Sequence, residues 1–169
     1  MDGGINTKNT EAALDKFGKY LVREARKNLT RQKKNNTKGL YKSLDYEVKA
    51  MPNSINFDFL MEEYGEWVDK GRKAGKMPPV SAIEKWVSQR KIQFRDNKGR
   101  FETYRTTAFL IARSIGKRGI PATNFYSRPF KLGFNRLPPE LTQAYALDLE
   151  DFLDFTLNEL NVTYKNGSK

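Results

Sequence analysis

The chain has neither cysteine nor histidine among its 169 residues. Disulfide staples, thiolate nucleophiles, imidazole bases and the usual zinc sites are excluded together, and most familiar hydrolase mechanisms go with them. Long apolar runs are also missing. Nothing approaches the ~18 apolar residues needed to span a bilayer. Residues Met1 to Asn9 are polar and glycine-rich, without the apolar centre of a signal peptide. These absences lead us to expect a cytoplasm-like compartment and no membrane partner. Acidic charge is scarce over long stretches: Lys16 to Lys42 holds ten Lys or Arg against the single acid Glu24, and Thr103 to Pro139 holds seven basic residues and no acid.

What is present is material for a core. Hydrophobic residues make up 38% of the chain, with 11 Phe and 8 Tyr among them, which argues for a globular protein despite 30% charged residues. The length suits one domain that buries roughly two-thirds of the surface its unfolded chain exposes. The expected organisation is a flexible N-terminus over 1–9, a single α+β domain over 10–161, and a polar C-terminal tail over 162–169. The formal charge of +11 is uneven: after the two basic stretches the sign flips, and Glu140 to Glu159 carries six acids and no base. A basic body can face polyanionic DNA, while an acidic element can dock on a basic face of the same chain or of a neighbour. The plainer alternative for each charge run is a solvated surface that maintains solubility.

Periodicity places the elements. Thr10 reads as an N-cap, and Leu14, Phe17, Leu21, Ala25 and Leu29 recur at helical spacing, predicting a long amphipathic helix to about Thr30. The segment RQKKNNTKG after it has no apolar anchor and reads as a loop. Leu44, Tyr46 and Val48, then Ile55, Phe57 and Phe59, alternate with polar residues, predicting an antiparallel hairpin turned at Met51–Ser54 with one face on the helices. Glu62 to Lys70 reads as a short helix with Tyr64, Trp67 and Val68 on one side, ended by Gly71, and Gly71 to Met77 as a flexible basic segment. Pro78 and Pro79 precede a helix striped by Ile83, Trp86 and Val87. Phe94 to Phe101 reads as a turn that could close a second small hairpin. Ala108, Ile111, Ala112 and Ile115 mark a further helix ended by Gly116 and Gly119. Pro138 and Pro139 open a last helix, striped by Leu141, Tyr145, Leu149, Phe152, Thr156 and Leu160. The fold class is therefore α+β: a small antiparallel sheet packed against several helices, with long N-terminal and C-terminal helices.

Four carboxylates, Glu62, Glu63, Glu66 and Asp69, lie beside Lys70. A magnesium-dependent nuclease would need such clustered oxygens, and helical spacing lets Glu62, Glu66 and Asp69 share a face; the default reading is a solvated helix face. The stretch Gly71 to Met77 has two Gly and a Lys, but lacks the spacing and the Ser/Thr of a phosphate-binding loop. It reads instead as a basic hinge or a DNA-facing loop. Trp67, Trp86, Phe125, Tyr126 and Phe130 could stack on single-stranded bases, although aromatics at such spacing more often form core. No sequence-specific reader motif is present, so DNA contact would be backbone-directed. Candidate phosphate-facing residues are Lys16, Lys19, Arg23, Arg26, Lys27, Arg31, Lys33 and Lys34, with Arg72, Lys73 and Lys76. No metal, cofactor or catalytic residue is assigned.

Several segments follow one another in a particular order: Thr37-Lys38-Gly39-Leu40-Tyr41-Lys42-Ser43; Tyr64, Trp67, Val68, Asp69 and Gly71; Trp86-Val87; a basic helix from Ile111 to Pro121; and Phe125 to Phe130. The set resembles the small neck and tail-completion proteins of long-tailed double-stranded DNA bacteriophages over roughly residues 10–135. The long acidic C-terminal helix departs from that pattern, as does Arg72 where Ser or Thr often stands. The resemblance implies a non-enzymatic virion protein of the head-tail junction, assembled in the host cytoplasm. It would form a ring homo-oligomer around the DNA channel, between the connector or head-closure proteins and the tail-tube or tail-terminator proteins. Tyr64, Trp67, Asp69, Phe125, Phe130, Glu150, Asp151 and Asp154 are then the candidate subunit-interface residues. The alternatives from the residues alone are a free, non-specific DNA-binding protein and the nuclease.

Overall fold

The computed structural model describes residues 6–35, 37–51 and 54–167, the last eight of these by backbone alone. In chain order the elements are α1 (Lys8–Arg31), α2 (Gly39–Ser43), β1 (Asp45–Met51), β2 (Ser54–Leu60), α3 (Gly65–Lys70), α4 (Val80–Gln89), α5 (Tyr104–Arg118), α6 (Ser127–Phe134) and α7 (Leu137–Gly167). The fold is α+β, as the periodicities predict. The chain groups into two compact units: Met1–Glu62 with Phe125–Lys169, and Glu63–Asn124.

The first unit is organised by α1. Its buried positions Leu14, Phe17, Gly18, Leu21, Val22, Ala25 and Leu29 keep the three- and four-residue spacing of one helical face. β1 and β2 pair antiparallel, with Tyr46 opposite Phe59, Val48 opposite Phe57 and Ala50 opposite Ile55. Val48, Ile55 and Phe57 then meet Leu14, Phe17, Leu137 and Leu141 in one apolar cluster. The Phe17 and Phe57 rings stand 5.2 Å apart. Gly18 makes the approach feasible, because a Cβ there would run into the Tyr46 ring. The same ring is pinned at its far end, where the Tyr46 hydroxyl donates to Asp15 Oδ1 at 2.6 Å. That bond raises the Tyr46 phenol to about 12. It also joins Lys19 in holding the Asp15 carboxyl below its ordinary value.

α6, a helix the sequence reading does not anticipate, crosses α1 where Gly133 faces the Phe17 and Tyr20 rings. Pro129 falls in its first turn, where a missing N–H costs nothing. α7 runs antiparallel to α1: Lys16 Nζ meets Glu140 Oε2 at 3.2 Å, and one turn-pair further along Asp148 reaches the start of α1. Pro138 and Pro139 lie in its first turn, as predicted. The helix does not stop near Leu160 but continues through the stretch read as a polar tail, to Gly167. Thr10 does not cap α1 either: the helix begins at Lys8, and Thr10 is buried within it.

The second unit packs α4 against α5, where Val87, Ala108 and Ala112 are fully buried. Small residues on α5 let the two helices approach closely. Thr103 caps α5, its Oγ1 accepting from the Thr106 amide at 3.1 Å. The turn before it closes as expected: Arg95 bridges to Phe101, and Asp96 accepts from the Lys98 and Arg100 amides. α5 runs through Gly116 and ends at Gly119. The segment after Gly71, read as a flexible hinge, is fastened instead. Arg72 and Ile120 exchange backbone hydrogen bonds of 2.8 and 2.7 Å, and the Gly75 amide donates to the Gly116 carbonyl. Gly71 and Gly119 flank that bridge with φ of 71° and 75°, and a Cβ on either would collide with the opposing backbone.

In α3 the side shared by Tyr64, Trp67 and Val68 is largely exposed, with only Val68 half-buried. Gly65 and Asp69 are buried, while Trp67 is 73% exposed and Tyr64 46%. The Thr123 and Asn124 amides both donate to the Asp69 carbonyl, and Thr123 Oγ1 donates to that of Val68. A six-residue helix follows whichever backbone holds it, and here that side carries the carboxylate. The predicted loop after α1 is likewise shortened by α2, which begins at Gly39; residue 36 and the hairpin turn residues 52 and 53 lie outside the described residues.

Candidate functional site

Two surfaces of the first unit bring candidate residues together. One is a groove of about 890 Å³ along the C-terminal half of α1, bounded by α2 and the start of β1. Lys19, Arg23, Arg26, Lys27 and Arg31 line it together with Val22, Thr30, Tyr41, Asp45 and Tyr46. Lys19, Arg23, Lys27 and Arg31 recur every fourth residue, so helical geometry sets them in a row with roughly 6 Å between neighbours. Their local partners are half-buried acids on the same helix: Asp15 holds Lys19 at 2.7 Å, and Glu24 holds Arg23 at 3.3 Å and Lys27 at 3.8 Å. Such surface pairs contribute about 0–1 kcal/mol each and exchange readily for a better anion.

Arg26 has a different task. Its guanidinium donates to the Leu44 carbonyl at 2.9 Å and the Tyr41 carbonyl at 3.2 Å, and lies 5.4 Å from the centre of the Tyr41 ring. It ties α2 to α1 and shapes the groove floor. Of the other phosphate-facing candidates, Lys16 points to Glu140, and Lys33 and Lys34 lie past the end of α1. Arg72, Lys73 and Lys76 belong to the second unit, where the Arg72 guanidinium donates to the Lys76 carbonyl at 2.6 Å. Sequence reasoning misses Tyr41, Asp45 and Tyr46 as groove residues. The Gly39–Ser43 element is the only local signal for them, and which side of it faces α1 is a tertiary matter.

The second surface is α7 beyond Asp148. Up to that point the helix is committed to α1. Asp148 is buried, with Oδ1 accepting from the Asn9 amide at 2.8 Å and Oδ2 accepting from the Thr10 amide at 2.9 Å and the Thr10 hydroxyl at 2.6 Å. These amides belong to the first turn of α1 and have no partner within the helix. Burial raises the Asp148 carboxyl, but the hydrogen bonds from Thr10 and Asn9 outweigh it and hold it below the ordinary carboxylate value. Past this anchor Leu149, Leu153, Phe155 and Leu157 are 38%, 50%, 65% and 57% exposed. At 100° per residue, Leu149, Leu153 and Leu157 form one stripe, with Glu150 and Asp154 along its edge and Asp151 beyond. All three acids are exposed. Glu140 and Asp148 thus serve their own chain, whereas Glu150, Asp151 and Asp154 are exposed.

The remaining interface candidates divide by burial. Tyr64 and Trp67 are exposed, and Phe130 is 37% exposed while stacking on Phe134 and meeting the edge of Phe17. Asp69 and Phe125 are buried, at 1% and 0% exposure. Phe125 packs beside Tyr126, and its carbonyl accepts from Asn28 Nδ2 at 3.0 Å. The suggested metal-binding acids are not gathered: Asp69 is interior, and Glu66 pairs with Lys70 at 2.7 Å. Among the described residues no three Asp or Glu side chains lie together as metal ligands, and no helix is long and apolar enough to cross a membrane. This chain matches no protein-family model, no curated protein and no solved structure.

Proposed function

We propose that this chain is a non-enzymatic structural subunit of a phage virion. It acts at the head-tail junction, assembling in the host cytoplasm into a ring that helps join the capsid connector to the tail around the DNA channel. One observation carries the self-association: α7 extends past its anchor with Leu149, Leu153, Phe155 and Leu157 in solvent. A helix that leaves such an apolar stripe uncovered gains by covering it against another surface. The ordered motifs from Thr37 to Phe130 support the phage setting by resemblance. The mass in solution at moderate salt, by light scattering with and without phage connector or tail assemblies, tests the reading. A closed oligomer, or a monomer that oligomerises on those assemblies, is expected; a monomer indifferent to them overturns it.

The groove favours a second reading, a free protein that holds duplex DNA by its backbone. Phosphate contacts by the four cations of the row would give log K against log salt a slope of about −4, and no dependence on sequence. A gel-retardation series across salt measures that slope, and duplex binding that is absent at low salt removes the reading.

A further inference from the structure

We propose that the exposed part of α7, from Leu149 to Leu157, docks into the α1 groove of a second copy of this chain. The inference rests on the self-association reading and specifies its contact. Charge complementarity selects the occupant. The groove presents a row of cations at four-residue intervals, and α7 presents Glu150 and Asp154 at the same interval, with Asp151 on the adjoining face. Two helices laid side by side repeat at a common rise, so one row of charges can follow the other. The apolar parts match as well. Val22, Tyr41 and Tyr46 offer an apolar and aromatic floor between the cations, and Leu149, Leu153 and Leu157 border the acids. Duplex DNA would satisfy the cations but would leave the leucine stripe in water.

The contact must be between copies. α7 is antiparallel to α1 and passes the N-terminal end of α1 at Asp148, whereas the groove lies over the C-terminal half. Asn9 and Lys27 are separated by roughly 27 Å of helix at 1.5 Å per residue. Donor and acceptor surfaces therefore sit at opposite ends of one rigid helix, and the helix leads away from its own groove. Such a pair is heterologous: each copy gives its helix to one neighbour and receives that of another, which closes into a ring if the rotation fits.

Reversing charge on either side tests this. The helix variant is Glu150→Lys, Asp151→Lys and Asp154→Lys; the groove variant is Arg23→Glu, Lys27→Glu and Arg31→Glu. All six residues are exposed, and circular dichroism checks that both variants keep their helix content. Each variant alone is expected to self-associate about 100-fold more weakly near physiological salt, from three contacts turned from attractive to repulsive. An equimolar mixture restores the oligomer, because each copy then meets an opposite charge on both sides. Oligomers unchanged in both variants overturn this contact and leave self-association standing. A wild-type monomer, with and without the assemblies, overturns both. A groove variant that loses duplex DNA while the helix variant and the mixture behave as wild type assigns the groove to nucleic acid and overturns the docking.

Discussion

The two halves of α7 are built from the same residue types and used in opposite ways. From Leu137 to Asp148 the helix lies along α1, with Leu137 and Ala144 buried, Glu140 paired to Lys16 and Asp148 bonded to the first turn of α1. Leu147 is already 46% exposed, and from Leu149 to Leu157 leucine and acid continue with Leu149, Leu153 and Leu157 in solvent. What separates the halves is where α1 begins, 24 residues of helix that come up beside one half and not the other. A helix reads its neighbours, not its own periodicity, when it decides which stripe is core. An acid in the first half is an internal bond, and an acid in the second is a surface charge available to a partner.

The contrast can be broken from either side. The largest stability effect falls in the inner half: Leu137→Ala removes a cluster member beside Leu14 and Phe17, and urea unfolding of the first unit should show a loss of about 2–4 kcal/mol. The matching Leu153→Ala should change the unfolding free energy of the dissociated monomer by less than about 0.5 kcal/mol, because Leu153 is 50% exposed there. Next comes Asp148→Ala, which strands the Asn9 and Thr10 amides and should cost about 2 kcal/mol; Asp151→Ala should cost close to nothing.

The Asp148 contribution carries its own pH signature. Its folded-state value lies below the ordinary 3.8, so the stabilisation is complete above 3.8 and is lost as pH falls through the lower folded value. An acid titration of unfolding should therefore show wild type losing its advantage over Asp148→Asn below about pH 4, with no such convergence for Asp151→Asn. The smallest effect belongs to the exposed Lys16–Glu140 pair. A double-mutant cycle there should give about 0–0.5 kcal/mol, less as salt is raised, and a value above 1 kcal/mol would mean that the pair is more enclosed than its exposure implies.

Strong, long periodicities were legible in the sequence. The α1 stripe, the hairpin alternation and the proline start of α7 each involve many residues that agree, and a wrong period would contradict most of them. Short elements were less so. α3 has only six residues, too few for a stripe to show which side is inward, and two amides from Thr123 and Asn124 hold the side that carries Asp69. α6 and α2 escaped because eight and five residues carry too few periods to stand out. For the candidate sites, the row Lys19 to Arg31 was readable as a basic face, but Arg26 was not separable from it. Its role depends on the Leu44 and Tyr41 carbonyls, which are 18 and 15 residues away in sequence.

By itself, then, the sequence determined the α+β class, the amphipathic face of α1, the antiparallel hairpin turned near Met51–Ser54, and the reversal of charge at Glu140. These depend on residue types at fixed local spacing, which the backbone's own geometry converts into faces. Only the tertiary structure decided that 63–124 forms its own compact unit, that Phe125 and Asp69 are interior, and that α7 divides at Asp148 into an anchored and a projecting half. Those outcomes depend on which distant segment supplies the other side of a contact. Asp148 shows it most directly: a carboxylate 138 residues along the chain satisfies Thr10, and no local pattern at either position announces it.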